Sequence, residues 1–130
     1  GYKQILENKE ITLFKSYKNE YADGEQKRDF LYVKDAAKIT LHILFNNHTG
    51  IFNVGRGIAE SWNDLATALF VAMEIPVNIR YIEMPQSLRE KYQYYTKAET
   101  NKLGEIGYKE KFFSLEESVK DYVHLLKKSG

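Results

Sequence analysis

The stretch from residue 35 to 46 constrains the fold more than any other part of this sequence. Ala36, Ile39, Thr40, Ile43 and Leu44 recur at helical spacing, and Ala37, Leu41 and Phe45 form a second apolar stripe beside them. A helix that is apolar on two flanks is usually covered on two sides. A chain of 130 residues fits one domain with one modest core, which does not easily supply both covers. The helix is therefore expected to present apolar surface toward a further domain. The opening, Gly1-Tyr2-Lys3-Gln4-Ile5-Leu6, has no initiator Met or signal layout and reads as the inside of an element of something longer.

The flanking segments predict several helices with short strands. Residues 1–8 read as the last turns of a helix. Ile11-Thr12-Leu13-Phe14 is β-prone, and a polar loop over 15–26 turns at Asp23-Gly24. Phe30-Leu31-Tyr32-Val33 reads as a second strand or extended segment, and Ile51-Phe52-Asn53-Val54 as a strand running into Gly55-Arg56-Gly57. Ser61 with Asp64 is a variant capping box ahead of an amphipathic helix that Pro76 closes. Residues 78–83 alternate like a half-exposed strand, and 86–92 look like a short helix. Thr96 with Glu99 reads as a capping box opening another helix, ending near Gly104 or Gly107. Ser114 with Glu117 opens the last, whose stripe is Leu115, Val119, Tyr122, Val123 and Leu126.

Composition removes several chemistries. Without Cys there is no disulfide, thiolate metal site or cysteine nucleophile. His42, His48 and His124 lack metal-ligand spacing, so no metal site is expected. A net charge of +1 gives no general field for nucleic acid or an anionic membrane, and no apolar run reaches a membrane span. Bases could stack on Tyr17 and Tyr21 beside Lys15 and Lys18, but a net charge of +1 argues against nucleic acid as the partner. Hydrophobic content of 43% and charged content of 28% suit a folded cytosolic protein.

No reaction centre is complete in this sequence. Gly55-Arg56-Gly57 has Glu60 where a dinucleotide fingerprint needs its third Gly, so Gly55 and Gly57 fit turn residues, or glycines that let backbone approach a ligand. No Tyr is followed by Lys four positions later, so the common tyrosine–lysine proton-transfer pair is missing and no catalytic residue is assigned. Anion binding has better candidates. Arg28 separates the polar loop from an apolar segment, and a guanidinium matches diphosphate oxygens through parallel N–H bonds. Asp29 is placed to orient it. An exposed Arg in a local ion pair fits the same residues. Lys15, Ser16, Tyr17 and Tyr21 fit a nucleotide cradle or a solvated loop. Tyr92, Tyr94 and Tyr95 fit a core cluster with one hydroxyl reaching a partner, or one ring facing a ligand.

Arg28-Asp29-Phe30-Leu31-Tyr32-Val33-Lys34-Asp35, Gly50-Ile51-Phe52-Asn53-Val54-Gly55-Arg56-Gly57 and Glu60-Ser61-Trp62 resemble the C-terminal part of extended short-chain dehydrogenase/reductase sugar-nucleotide enzymes, the NAD-dependent epimerase/dehydratase family. Ala59-Glu60-Ser61, Tyr81-Ile82-Glu83-Met84-Pro85 and residues 88–96 are most similar to the branch that epimerises an ADP-linked heptose for lipopolysaccharide inner-core synthesis. The resemblance implies an α+β substrate-binding domain over residues 1–130, with the Rossmann domain absent from this chain. It implies that Arg28 contacts the nucleotide diphosphate, that Phe14, Lys15, Ser16 and Tyr17 line the nucleotide side, and that Tyr92 contacts substrate. NADP and the catalytic Tyr and Lys are implied in the missing N-terminal domain, in a cytoplasmic homo-oligomer. This part alone is expected to be inactive. Another nucleotide-sugar epimerase or dehydratase, or a non-catalytic nucleotide-sugar-binding module, shares most of these motifs.

Overall fold

A computed structural model describes residues 1–129, in which six helices and four short strands are arranged as an α+β unit. In chain order these are α1 (Tyr2–Asn8), β1 (Ile11–Phe14), β2 (Lys27–Arg28), α2 (Val33–Phe45), β3 (Glu60–Ser61), α3 (Trp62–Met73), β4 (Ile79–Ile82), α4 (Gln86–Arg89), α5 (Asn101–Glu105) and α6 (Leu115–Ser129). β1 and β4 pair in parallel, with Ile11 opposite Ile79 and Phe14 opposite Ile82. β2 and β3 pair antiparallel, with Lys27 opposite Ser61 and Arg28 opposite Glu60.

Local capping sets the two long core helices. The Ser61 hydroxyl accepts the Asp64 N–H at 3.0 Å while the Asp64 carboxylate accepts the Ser61 N–H at 2.8 Å. Ser114 and Glu117 make the same reciprocal pair at the start of α6, at 3.1 and 2.8 Å. The helices so started cross to form the main core. Ala66, Phe70 and Met73 of α3 pack with Leu115, Val119 and Val123 of α6, over Ile5 and Ile11. Burying Phe70 alone contributes roughly 1.5–3 kcal/mol.

A second, smaller cluster joins Ile39 of α2 to Leu103 and Tyr108, with Ile43, Phe52 and Phe112 beside it. It covers only one flank of α2. Val33, Leu41 and Phe45 stay exposed on the other, Phe45 at 75%, and Leu44 at the end of the first stripe is exposed too. The doubly striped helix thus has one cover inside this chain, and its second stripe is open.

Three local expectations are corrected. Residues 51–54 form no strand. Among the described residues no neighbouring strand offers a ladder to them, and Ile51 is 87% exposed. Of the two readings of 30–33 the strand fails, since the second strand lies at Lys27–Arg28, and the extended segment holds as far as Tyr32, the extended N-cap of α2. Thr96 does not cap a helix; α5 begins at Asn101 after Thr100. Residues 95–98 are held by tertiary bonds instead: Tyr95 bridges Lys27, Thr96 donates to the Lys27 carbonyl at 3.2 Å, and Ala98 donates to Asp29 at 3.1 Å.

Candidate anion-binding site

Arg28 stands on β2 with Glu60 opposite it across the ladder. That carboxylate is taken by Arg56, four residues earlier in the chain, whose side chain is only 6% exposed. Arg28 itself forms no ion pair among the described residues. Its Nη1 donates to the Lys27 carbonyl at 2.8 Å, and its guanidinium carbon lies 5.2 Å from the centre of the Tyr92 ring. The ring of Phe14 meets Tyr92 edge-on at 6.4 Å. A half-buried cation therefore rests on an aromatic shelf with most of its N–H donors uncommitted, which suits an oxyanion.

Asp29 does not orient Arg28. Its two carboxylate oxygens accept the backbone N–H groups of Arg56 and Gly57, both at 2.8 Å, and of Ala98. A Cβ at Gly55 would lie 2.5 Å from the Ala98 Cβ and 2.6 Å from Asp29 Oδ2, so this Gly leaves room for the side chains of Ala98 and Asp29. Gly57 has φ +71°, as a turn residue does. The N–H groups of this turn already serve Asp29, so it does not fit a dinucleotide's pyrophosphate.

The loop residues are engaged differently. Lys15 donates to Glu83 at 2.8 Å, the Tyr17 hydroxyl also donates to Glu83, and Arg89 lies 4.0 Å over the Tyr17 ring. The hydrogen bond from Lys15, then that from Tyr17, holds the Glu83 carboxyl below its ordinary value, and Glu83 in turn raises Lys15. Ser16 hydrogen-bonds within the loop, its N–H to Asp23 at 2.7 Å and its hydroxyl to the Lys18 carbonyl at 3.0 Å. The structure thus brings Phe14, Arg28 and Tyr92 together. Lys15 and Tyr17 gather around Glu83, and Ser16 stays inside its loop.

Glu83 and Arg89 are members that the sequence did not single out. Glu83 meets Lys15 because parallel pairing sets Ile82 beside Phe14, with the Lys15 N–H on the Ile82 carbonyl at 2.9 Å. No spacing within the sequence signals that register. Tyr94 is the buried Tyr with a hydroxyl partner that the Tyr cluster suggested, and that partner is the Tyr17 N–H at 2.9 Å. A wide apolar groove of about 760 Å³ lies elsewhere, between Tyr2, Leu13, Phe30, Trp62, Leu69 and Val119.

The fold is that of part of the extended short-chain dehydrogenase/reductase epimerases. It matches a UDP-N-acetylglucosamine 4-epimerase from Methanobrevibacter ruminantium with a TM-score of 0.80 at 22% identity, over 99% of this chain and 38% of that one. It matches the Helicobacter pylori ADP-L-glycero-D-manno-heptose-6-epimerase with a TM-score of 0.76 at 24% identity, over 97% and 36%. The sequence profile of the NAD dependent epimerase/dehydratase family matches residues 1–55. Over nearly its whole length the chain is similar in sequence to ADP-L-glycero-D-manno-heptose-6-epimerases. It is 48% identical to the one from Fusobacterium nucleatum, over 94% of this chain, and 46% identical to the one from Nitratidesulfovibrio vulgaris, over 95%. It spans 38–39% of the length of these relatives.

Proposed function

We propose that this chain is the substrate-binding part of an NADP-dependent ADP-heptose 6-epimerase. The observation that carries this reading is the Arg28 guanidinium, which rests on Tyr92 with no carboxylate partner among the described residues. The identity of 46–48% to proteins of that name supports ADP-heptose over other nucleotide sugars.

In this reading Arg28 grips the diphosphate bidentately, Tyr92 contacts substrate beside it, and Phe14, Lys15, Ser16 and Tyr17 border the nucleotide. Binding ADP frees Lys15 to exchange Glu83 for a phosphate oxygen. The chain binds and orients; it holds no proton-transfer pair. NADP and the catalytic Tyr and Lys reside in the remainder of a longer, cytoplasmic, homo-oligomeric enzyme, and the cofactor supplies the hydride chemistry when bound there. The open stripe of α2 faces that remainder.

Calorimetric titration with ADP, GDP and UDP tests the reading. ADP is expected to bind more tightly than the other two, and this chain with NADP added is expected not to epimerise ADP-heptose. Equal affinity for the three nucleotides, or turnover by the chain alone, overturns it.

A further inference from the structure

Tyr94 lies at the point where three site-bearing segments meet. It is 5% exposed. Its hydroxyl accepts the Tyr17 N–H at 2.9 Å, across 77 residues of sequence. Its ring meets Tyr92 at 5.4 Å and 81°, and Tyr21 at 5.4 Å and 44°, while Lys18 Nζ lies 4.9 Å over its face. Its carbonyl accepts the Lys27 N–H at 2.8 Å, one residue before Arg28.

These contacts have different reach. The backbone bond sets the 92–95 segment against β2, and hence Tyr92 under Arg28. The ring fixes the tilt of Tyr92 from behind. The hydroxyl ties the 15–21 loop to the same body. Tyr17 is itself 40% exposed and its side chain turns to Glu83, so without the Tyr94 hydroxyl its N–H can be satisfied by water. Losing that bond would free the loop with little effect on the core.

We propose that Tyr94 is a positioning residue of the nucleotide site: it makes no ligand contact and acts by fixing the Tyr17 backbone and the Tyr92 ring beside Arg28. This rests on the functional reading above.

The test compares Tyr94→Phe with the unaltered chain by amide hydrogen exchange, thermal unfolding and ADP calorimetry. Tyr94→Phe keeps the ring and removes only the hydroxyl. Exchange at the Tyr17 amide should quicken about tenfold. ADP affinity should fall roughly three- to tenfold, and the core amides of Ile5 and Phe70 and the unfolding midpoint should stay unchanged. Glu83→Gln serves as the contrast, releasing the loop's side chains while the Tyr17 amide stays protected. Unchanged Tyr17 exchange in Tyr94→Phe overturns the proposal, as does a loosened loop with unchanged ADP affinity. Failure of the unaltered chain to bind ADP overturns the functional reading instead, and the exchange comparison still decides whether Tyr94 holds the loop.

Discussion

The Asp29 carboxylate accepts the Gly57 backbone N–H at 2.8 Å and, among the described residues, forms no ion pair with Arg28 beside it in sequence. The acid of the Arg28-Asp29 pair thus serves the protein's own backbone. By tying β2 to the 55–57 turn and to Ala98, it fixes the strand from which Arg28 projects. Removing it leaves three N–H groups without their acceptor. Asp29→Ala should destabilise the fold by about 2–4 kcal/mol, read as a shift of the urea midpoint at constant slope. A loss below about 0.5 kcal/mol would mean that the three bonds do not hold the segments together.

Gly55 lies under the same staple. A methyl there would meet the Ala98 Cβ at 2.5 Å, which moves only with its backbone, and Asp29 Oδ2 at 2.6 Å, which is pinned by the Gly57 and Ala98 N–H groups. Gly55→Ala should cost about 1–3 kcal/mol as overpacking. Adding Ala98→Gly should recover part of that loss in the double variant, because one of the two clashes is relieved. Strict additivity of the two changes would contradict the contact.

What the sequence disclosed depended on how local each cause was. The boxes at Ser61 with Asp64 and Ser114 with Glu117 close within one turn, and both were legible. Thr96 with Glu99 has the same spacing and fails, because the bonds of Thr96 to Lys27 and Ala98 to Asp29 come from residues 69 positions away. Residues 51–54 carry strand chemistry without a strand beside them, since a ladder needs a partner that periodicity cannot report. In the site, Arg28 and Tyr92 stood out as residue types. The Glu83 cluster and the Tyr94 junction follow from the register of β1 on β4 and from loop closure, which leave no mark in local spacing.

The Glu83 cluster has a pH signature. Its folded carboxyl is held below the ordinary 4.5. The partnership with Lys15 and Tyr17 is therefore complete above 4.5 and is lost as pH falls through the lower folded value. Nuclear magnetic resonance signals of the Lys15 ammonium and the Tyr17 ring should stay constant from neutrality to about pH 5 and shift only below Glu83's ordinary range. In Glu83→Gln the shift should disappear. A shift centred near neutrality would contradict the assignment.

The open stripe of α2 predicts self-association or dye binding by the isolated chain. Val33, Leu41, Leu44 and Phe45 together expose apolar surface that a soluble unit ordinarily covers. Phe45→Glu, at a position 75% exposed, should reduce association seen by light scattering while changing stability by less than about 0.5 kcal/mol. A large destabilisation would show that Phe45 packs inside this chain.

The central claim is that Arg28 grips a nucleotide diphosphate, and ADP calorimetry on Arg28→Ala and Arg28→Lys tests it most directly. Arg28→Ala should weaken binding by about 1.5–3 kcal/mol, the scale of a hydrogen bond to a charged group. Arg28→Lys should recover only part of that, because it restores the charge and not the planar fork. Binding isotherms that coincide for all three proteins would remove Arg28 from the site.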